Sequence, residues 1–152
     1  MRSLLLLCAF ACFAHVSKAQ TAEDSVKAVI NKMFDAMRSS DAAMLQATFG
    51  DSALLQTITR DKGGRTIIRN ESIKEFAGSI SAAPKGALDE RISFETIKID
   101  GPLASAWTPY SFYYNGKFSH CGVNSFQVVR INGEWKLQYI IDTRRKGGCV
   151  EK

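Results

Sequence analysis

The sequence has few of the residues that most often carry catalytic or metal chemistry. Its 152 residues include two His and four Cys, and one of those His and two of those Cys fall within the first fifteen positions. The others, His120, Cys121 and Cys149, lack metal-ligand spacing, so we expect neither a structural zinc site nor any cofactor. No apolar run reaches the about 20 residues of a transmembrane helix. The net charge of +5 is too small and too scattered to indicate a nucleic-acid partner.

Residues 1–19 have the pattern of a signal peptide. Arg2 supplies the positive start, and Leu4–Ala14 is an apolar run that ends before a short stretch of small residues. An uncleaved anchor and a lipoprotein cut before Cys12 are the less favoured alternatives. We therefore predict a single mature domain, residues 20–152, that is periplasmic or secreted and has no membrane contact after cleavage.

The first part of that domain predicts helices. Thr21 begins a helix with an acidic first turn, and Asp41 can cap a short second one. Ser72 and Glu75 form a capping box that begins a third. The first helix has one apolar stripe, which predicts a face buried against the core: Val26, Val29, Ile30, Met33, Phe34 and Met37.

The remaining segments predict antiparallel strands. Residues 53–60 and 65–69 read as a hairpin, and a four-stranded meander follows, with strands at about 89–100, 103–114, 117–131 and 134–144. Asn115-Gly116 and Asn132-Gly133 are strong type I′ turn signals. Pro109, Gly122 and an expected bulge near Glu95–Thr96 predict that the long strands bend.

If the two-residue turns hold, they set the strand register and hence the two faces of the sheet. Trp107 is then expected opposite Asn124, Asn124 opposite Ile141, and Phe126 opposite Tyr139. The predicted ligand-binding residues on the inner face and on the first helix are Trp107, His120, Asn124, Phe126, Tyr139, Phe34 and Met37. The same register puts Asp142 on the outer face, whose apolar patches predict a homodimer through the outer face of the sheet.

The order of these elements, with the segments Phe49–Thr57 and Pro84–Arg145, resembles the nuclear transport factor 2-like superfamily. The resemblance is strongest to its small secreted bacterial members, known as the lumazine-binding family, and extends over the whole mature chain. It implies an α+β, cone-shaped fold in which the N-terminal helices pack on a strongly bent antiparallel sheet. Fold alone does not carry function.

The resemblance also bears on catalysis. Steroid isomerases of this superfamily use an Asp on the first strand as a base, and the matching position here is Thr57, which cannot abstract a proton near neutrality. Their oxyanion donors are a helix Tyr and a protonated Asp. The first helix here has no Tyr, and the expected inner face of the last three strands has no carboxylate. Isomerase-type turnover is therefore not expected.

Three functional hypotheses remain. The favoured one is an exported module that binds a small, aromatic or heterocyclic molecule without turnover. The second is a SnoaL-like lyase or isomerase with His120 as general base, although His120 and Asn124 are more simply read as satisfied polar groups. The third is a dimerising interaction domain.

The two mature cysteines are a candidate disulfide. An oxidising compartment removes the usual reason for thiols to stay reduced. Lys146-Gly147-Gly148 is flexible enough to return Cys149 to Cys121. The alternative is a buried inert Cys121 and a frayed tail.

Overall fold

The computed structural model describes residues 21–149; the predicted signal peptide, residues 1–19, lies outside the described residues. No helix within this part of the chain is long and apolar enough to cross a membrane. The helices are α1 (Ala22–Ser39), α2 (Ala42–Ala47) and α3 (Ile73–Ala82). The strands are β1 (Phe49–Arg60), β2 (Thr66–Glu71), β3 (Leu88–Ile92), β4 (Thr96–Asp100), β5 (Leu103–Tyr114), β6 (Lys117–Ile131) and β7 (Glu134–Thr143).

The helices begin where the capping residues predict. Thr21 and Asp24 form a reciprocal capping box at the start of α1, and Ser72 and Glu75 form a second at the start of α3. Asp41 accepts a hydrogen bond from the backbone N–H of Met44 and so caps α2. These contacts satisfy backbone donors that a helix leaves free at its first turn, and they set the helix boundaries.

The strands form one seven-stranded sheet in the order β2-β1-β7-β6-β5-β3, with β4 also paired to β5. All pairs are antiparallel except β1 and β7, which run parallel. The helices pack on one face of this sheet, and Val26, Ile30 and Phe34 of α1 enter the same core as Phe126 and Leu137. The predicted α+β class, with N-terminal helices on a bent sheet, is confirmed.

The strand predicted over residues 89–100 is two strands rather than one. Residues 93–95 leave the regular ladder between β3 and β4. The backbone N–H of Ser93 nevertheless donates to the Pro109 carbonyl, and that of Glu95 donates to the Trp107 carbonyl, each at 3.0 Å. Both strands therefore follow β5 across an interruption, one to two residues before the expected bulge.

Both Asn-Gly turns form, but the predicted register holds only next to them. Asn115 and Asn132 have φ of 49° and 50°, and each following Gly is also at positive φ, as type I′ turns require. Tyr114 then pairs with Lys117, as expected. Ser119 on β6 and Gln138 on β7 are each an extra residue without an opposite partner, and each shifts the register beyond it by one.

These two bulges correct the assignment of faces. Asn124 lies opposite Thr108 and Asp142, not opposite Trp107 and Ile141. Phe126 lies opposite Ala106 and Ile140, not opposite Tyr139. Because side chains alternate along a strand, the shift moves Trp107, Tyr139 and Ile141 to the outer face and Asp142 to the inner face.

The end of β7 is fixed against β6. Cys121 and Cys149 are joined by a disulfide that closes a separation of 28 residues. Cys121 and Arg145 form an isolated antiparallel bridge beside it. A Cβ added to Gly122 would lie 1.8 Å from the carbonyl oxygen of Thr143, so only glycine permits this close crossing. The crossing determines where residues 142–145 lie over the sheet.

Candidate functional site

A cavity of about 260 Å³ lies between the helices and the inner face of the sheet. Its apolar walls come from α1, α3, β1, β3, β5 and β7, and β2 and β6 add polar residues. The apolar lining residues are Met33, Phe34, Met37, Leu55, Phe76, Ile80, Leu88, Phe112 and Ile140. Ser79 also lines the cavity yet is exposed to solvent, so it lies at the mouth.

Asp142 organises one polar end of this cavity. Its Oδ1 accepts a hydrogen bond from the hydroxyl of Thr57 at 2.6 Å, and its Oδ2 accepts one from Nε of Arg144 at 2.9 Å. Tyr110 also donates to Oδ2, at 3.3 Å, while its hydroxyl lies 2.9 Å from the Thr143 carbonyl oxygen. The guanidinium of Arg144 donates to Thr57 as well, at 3.1 Å. Asp142 is therefore a buried carboxylate that is both hydrogen-bonded and paired with a cation.

Glu90 is another carboxyl group that lines the cavity, and its surroundings differ from those of Asp142. It lies on β3, half-buried, and its Oε1 accepts a hydrogen bond of 2.8 Å from Nδ2 of Asn124. Within residues 21–149 it forms no ion pair. Burial, reinforced by the charge of Asp142, raises the pKa of Glu90 to about 7, against the opposing effects of Asn124 and Arg144. Near neutral pH this group can therefore hold or release a proton.

His120 is a neutral side chain in this setting. Its ring packs against Tyr110 and Phe112, with centroid distances of 5.7 Å and 5.0 Å, and its Nδ1 lies 3.0 Å from the Ser119 hydroxyl. Burial lowers the pKa of His120, and the positive charge of Arg144 lowers it further. A neutral imidazole can donate or accept one hydrogen bond at the cavity wall, but it supplies no charge.

Glu71, at the end of β2, completes the set of ionisable groups that line the cavity. Burial raises the pKa of its carboxyl group, while the nearby positive charge of Arg144 opposes that rise. Tyr110 is shifted in the same direction: burial and the neighbouring carboxylates raise the pKa of its hydroxyl, so it acts only as a neutral donor or acceptor. The cavity thus combines apolar walls with three carboxyl groups and one guanidinium.

Four of the seven predicted ligand-binding residues line this cavity: Phe34, Met37, His120 and Asn124. Phe126 faces inward but is fully buried in the core, where it packs edge-on against Phe34. Trp107 is 46% exposed on the outer face, and the hydroxyl of Tyr139 donates to Gln56 beside it on that face. Trp107 therefore does not lie on the inner face or line the cavity as predicted, because the Ser119 bulge turns its side chain outward.

The expectation that the inner face holds no carboxylate is also wrong. Asp142 was assigned to the outer face because the Gln138 bulge has no sequence signal. The inward direction of Glu90 does have a sequence signal. Glu90 lies two residues before the apolar Ile92 on the same strand, and side chains two residues apart on a strand lie on the same face. Thr57, on the first strand, lies next to Asp142.

Two other features carry less chemistry. A larger groove of about 470 Å³ runs between α1 and the β6–β7 turn. Its ionic groups lie at the surface, where Lys136 pairs with Glu134 at 3.0 Å. Among the described residues, no group of three or more His, Cys, Asp or Glu is arranged to hold a metal ion.

The fold is shared with solved structures of bacterial proteins. A nuclear transport factor 2-like protein of unknown function from Shewanella baltica is 14% identical, with a TM-score of 0.64 over 82% of this chain and 94% of its own. One from Silicibacter pomeroyi is 16% identical, with a TM-score of 0.62 over 80% and 93%. A cystatin-like domain of unknown function from Nostoc punctiforme is 16% identical, with a TM-score of 0.62 over 81% and 76%.

These likenesses establish a nuclear transport factor 2-like fold and, at such low identity, nothing beyond it. No curated protein sequence matches the chain. The sequence profile of the family described as "Putative lumazine-binding" matches residues 21–138, which is most of the chain. The chain belongs to that family, as the resemblance in its sequence indicates.

Proposed function

We propose that this protein binds a small molecule in the cavity between α1, α3 and the inner face of the sheet. The observation that carries the proposal is the composition of that cavity: apolar and aromatic side chains line it together with a hydrogen-bonded polar cluster around Asp142 and Glu90. Sites for small ligands are typically concave and mostly apolar, with few polar groups that fix orientation. The description of the family, which names lumazine, supports a small-molecule ligand.

A dye that fluoresces in apolar surroundings tests this proposal. N-phenyl-1-naphthylamine should brighten on binding to the wild-type protein, and lumazine should displace it if the family description extends to this chain. Ser79→Trp puts a large side chain at the mouth of the cavity and should weaken dye binding at least tenfold. Ser81→Trp is the matched control, because Ser81 is exposed on the same helix but does not line the cavity.

Equal dye binding by the two variants would contradict the proposal, since the dye would then bind outside the cavity. Both variants must first show the far-ultraviolet circular dichroism and melting temperature of the wild type.

We propose in addition that the protein is exported to the periplasm or secreted. The signal-peptide pattern of residues 1–19 supports this, and so does the disulfide between Cys121 and Cys149, because disulfides persist in oxidising compartments. Intact-mass analysis of the exported protein should give a chain that begins at Gln20 and is two hydrogens lighter than its reduced form. A chain that begins at Met1, or a lipid on Cys12, would overturn this proposal.

Whether the ligand is turned over is a separate question. Isomerase-type turnover was not expected because Thr57 stands in place of the base, the first helix has no Tyr, and the expected inner face of the last three strands has no carboxylate. Glu90 and Asp142 line the cavity and remove the last of these three reasons. A lyase or isomerase is therefore a second candidate function, with Glu90 rather than His120 as the proton acceptor. Glu90 suits this role because its pKa is about 7 and one of its oxygens is open to the cavity.

A Kemp elimination tests that second candidate without knowledge of the natural substrate. A carboxylate in an apolar cavity removes the C3 proton of 5-nitrobenzisoxazole, the N–O bond breaks, and 2-cyano-4-nitrophenolate is released. If Glu90 is the base, wild-type protein at pH 8 should exceed Glu90→Gln at least tenfold in rate. Equal rates for the two proteins would leave binding without turnover as the function.

The expected homodimer stays a proposal as well. The outer face of the sheet has three large apolar side chains that are each nearly half exposed: Leu103, Trp107 and Phe118. This exposure supports the binding of a second copy of the chain to the outer face. Sedimentation velocity should show a dimer at micromolar concentration and a monomer for Trp107→Lys. A wild-type monomer at all concentrations would contradict it.

A further inference from the structure

The carboxyl groups that line the cavity differ in how their charge is balanced. The guanidinium of Arg144 forms an ion pair with Asp142, and its charge acts from farther away on Glu71 and Glu90. The carboxyl group of Glu90 is in ion-pair contact with no cationic side chain within residues 21–149, and the one hydrogen bond it accepts there comes from the neutral amide of Asn124. Arg38 of α1 donates to the main-chain carbonyl of Glu90, at 3.4 Å, and not to its carboxyl group. The second oxygen of that carboxyl group accepts no hydrogen bond from the described residues and is open to the cavity.

When Glu90 is ionised, the described part of the protein supplies no counter-ion in contact with its carboxylate. Isolated charges that are moved out of water are costly unless they are paired. The cavity supplies negative charge at one end and aromatic faces along its walls, from Phe34, Phe76 and Phe112. Aromatic faces attract cations, and a cation removed from water gains most from them.

We infer that the ligand carries a positively charged nitrogen on an apolar or aromatic body, with the nitrogen against Glu90 and the body between α1 and α3. This rests on the proposed function and specifies its ligand class. An ammonium or amidinium N–H would donate to the open oxygen of Glu90, while Asn124 holds the other oxygen in place. The charge balance of the cavity disfavours an anionic ligand.

The groups that face Glu90 define the pH dependence of this binding. They are Asp142 and Arg144 at the end of β7, Tyr110 on β5 and His120 on β6, with Glu71 on β2 farther along the cavity wall. The cavity residues of α1 and α3 carry no ionisable side chain. Since His120 and Tyr110 are neutral near pH 7, Glu90 is the group whose proton a cation displaces.

Three probes of matched shape test the inference: 2-naphthylmethylammonium, the neutral 2-naphthylmethanol and the anionic 2-naphthoate. By isothermal titration calorimetry at pH 8, the ammonium should bind at least tenfold more tightly than the alcohol, and the naphthoate most weakly. The ratio of the ammonium's affinity to the alcohol's affinity should decrease as the pH falls below 7. At pH 7, the binding heats measured in phosphate and in Tris should differ, because these buffers have different ionisation enthalpies. The difference should correspond to the release of up to about half a proton per ligand bound.

Glu90→Gln should remove both the preference for the ammonium and the proton release, while it leaves binding of the alcohol within about twofold. Glu95→Gln is the control, because that carboxylate is exposed and does not line the cavity. It should behave as wild type.

The failures of the two proposals are distinct. If the alcohol or the naphthoate binds as tightly as the ammonium, or if the ammonium does not bind, the ligand class is wrong and the cavity remains a small-molecule site by the dye test. If Ser79→Trp weakens binding of neither the dye nor the ammonium, the cavity is not the binding site and both proposals fail.

Discussion

Glu90 and Asp142 face the same cavity but are held by different means. Asp142 accepts hydrogen bonds from Thr57, Tyr110 and Arg144, one of which carries a full positive charge. The carboxyl group of Glu90 accepts one hydrogen bond from the described residues, and its donor is a neutral amide. Asp142 therefore contributes to the stability of the fold, whereas an ionised Glu90 opposes it. A carboxylate that the fold does not need, and does not neutralise, is available to a ligand.

Asp142→Ala should have the largest effect of the changes considered. It leaves the Thr57 hydroxyl without its acceptor and Arg144 without its counter-ion, whereas Tyr110 keeps the Thr143 carbonyl oxygen as an acceptor. We therefore expect a loss of about 3–4 kcal/mol in the free energy of unfolding. Urea denaturation at pH 7 measures it. Asp142→Asn keeps the shape and should lose less. An unchanged midpoint for Asp142→Ala would contradict the structural role assigned to this carboxylate.

Cys149→Ser should cost somewhat less, about 3 kcal/mol, because it opens a loop of 28 residues. Arg144 precedes the bridged Arg145, so the change should loosen the partner of Asp142 and leave the Glu90–Asn124 hydrogen bond intact. Denaturation with and without reductant measures the effect. Reductant should destabilise the wild type to the level of the variant and leave the variant unchanged; a wild type insensitive to reductant would disprove the bridge.

Glu90→Gln should stabilise the protein, with a pH dependence of known sign. The pKa of Glu90 is about 7 in the folded state and near 4.5 unfolded, so the folded state retains the proton longer. The contribution of wild-type Glu90 to stability therefore falls as the pH rises from about 4.5 to 7. The variant should gain about 3 kcal/mol over the wild type at pH 8, since each pH unit between 4.5 and 7 contributes about 1.4 kcal/mol, and it should gain little at pH 4.5. Thermal unfolding of the wild type and the variant at both pH values measures this gain, and the control Glu95→Gln should show no gain at either pH. An equal gain for Glu90→Gln at both pH values would refute the assigned pKa.

Trp107→Ala should have the smallest effect on the cavity. The side chain lies on the outer face, so dye and ammonium affinities should change by less than about twofold. The fluorescence titrations described above measure this. A tenfold loss of affinity would return Trp107 to the site and overturn the strand register.

The general fold could be predicted because its signals are local. The caps at Thr21, Asp41 and Ser72 and the two Asn-Gly turns each depend on neighbouring residues, and all form as expected. The inward side chains of His120 and Asn124 on β6 followed from the same alternation that puts Phe126 and Val128 in the core.

The site could be predicted only in part because its faces depend on bulges. Ser119 and Gln138 are ordinary strand residues, with no Gly or Pro beside them to indicate an interruption. A single extra residue on each strand moved Trp107 out and Asp142 in. Glu90 differs, because its alternation with Ile92 is visible in the sequence; it lies on β3, outside the last three strands for which an inner face without carboxylates was expected.

The parallel pairing of β1 and β7 has a consequence for how the chain reaches this structure. Leu55 lies beside Ile140, so the first strand meets its central neighbour only when residues near the C-terminus are present. Contacts between such distant residues close large loops and slow folding. Synthesis proceeds from the N-terminus, so α1, α2 and the β1–β2 hairpin exist for some time without the strand that joins them to the meander. A chain that stops before residue 134 therefore still contains both strands of the β1–β2 hairpin. It cannot form the cavity, because β7 supplies part of the cavity wall.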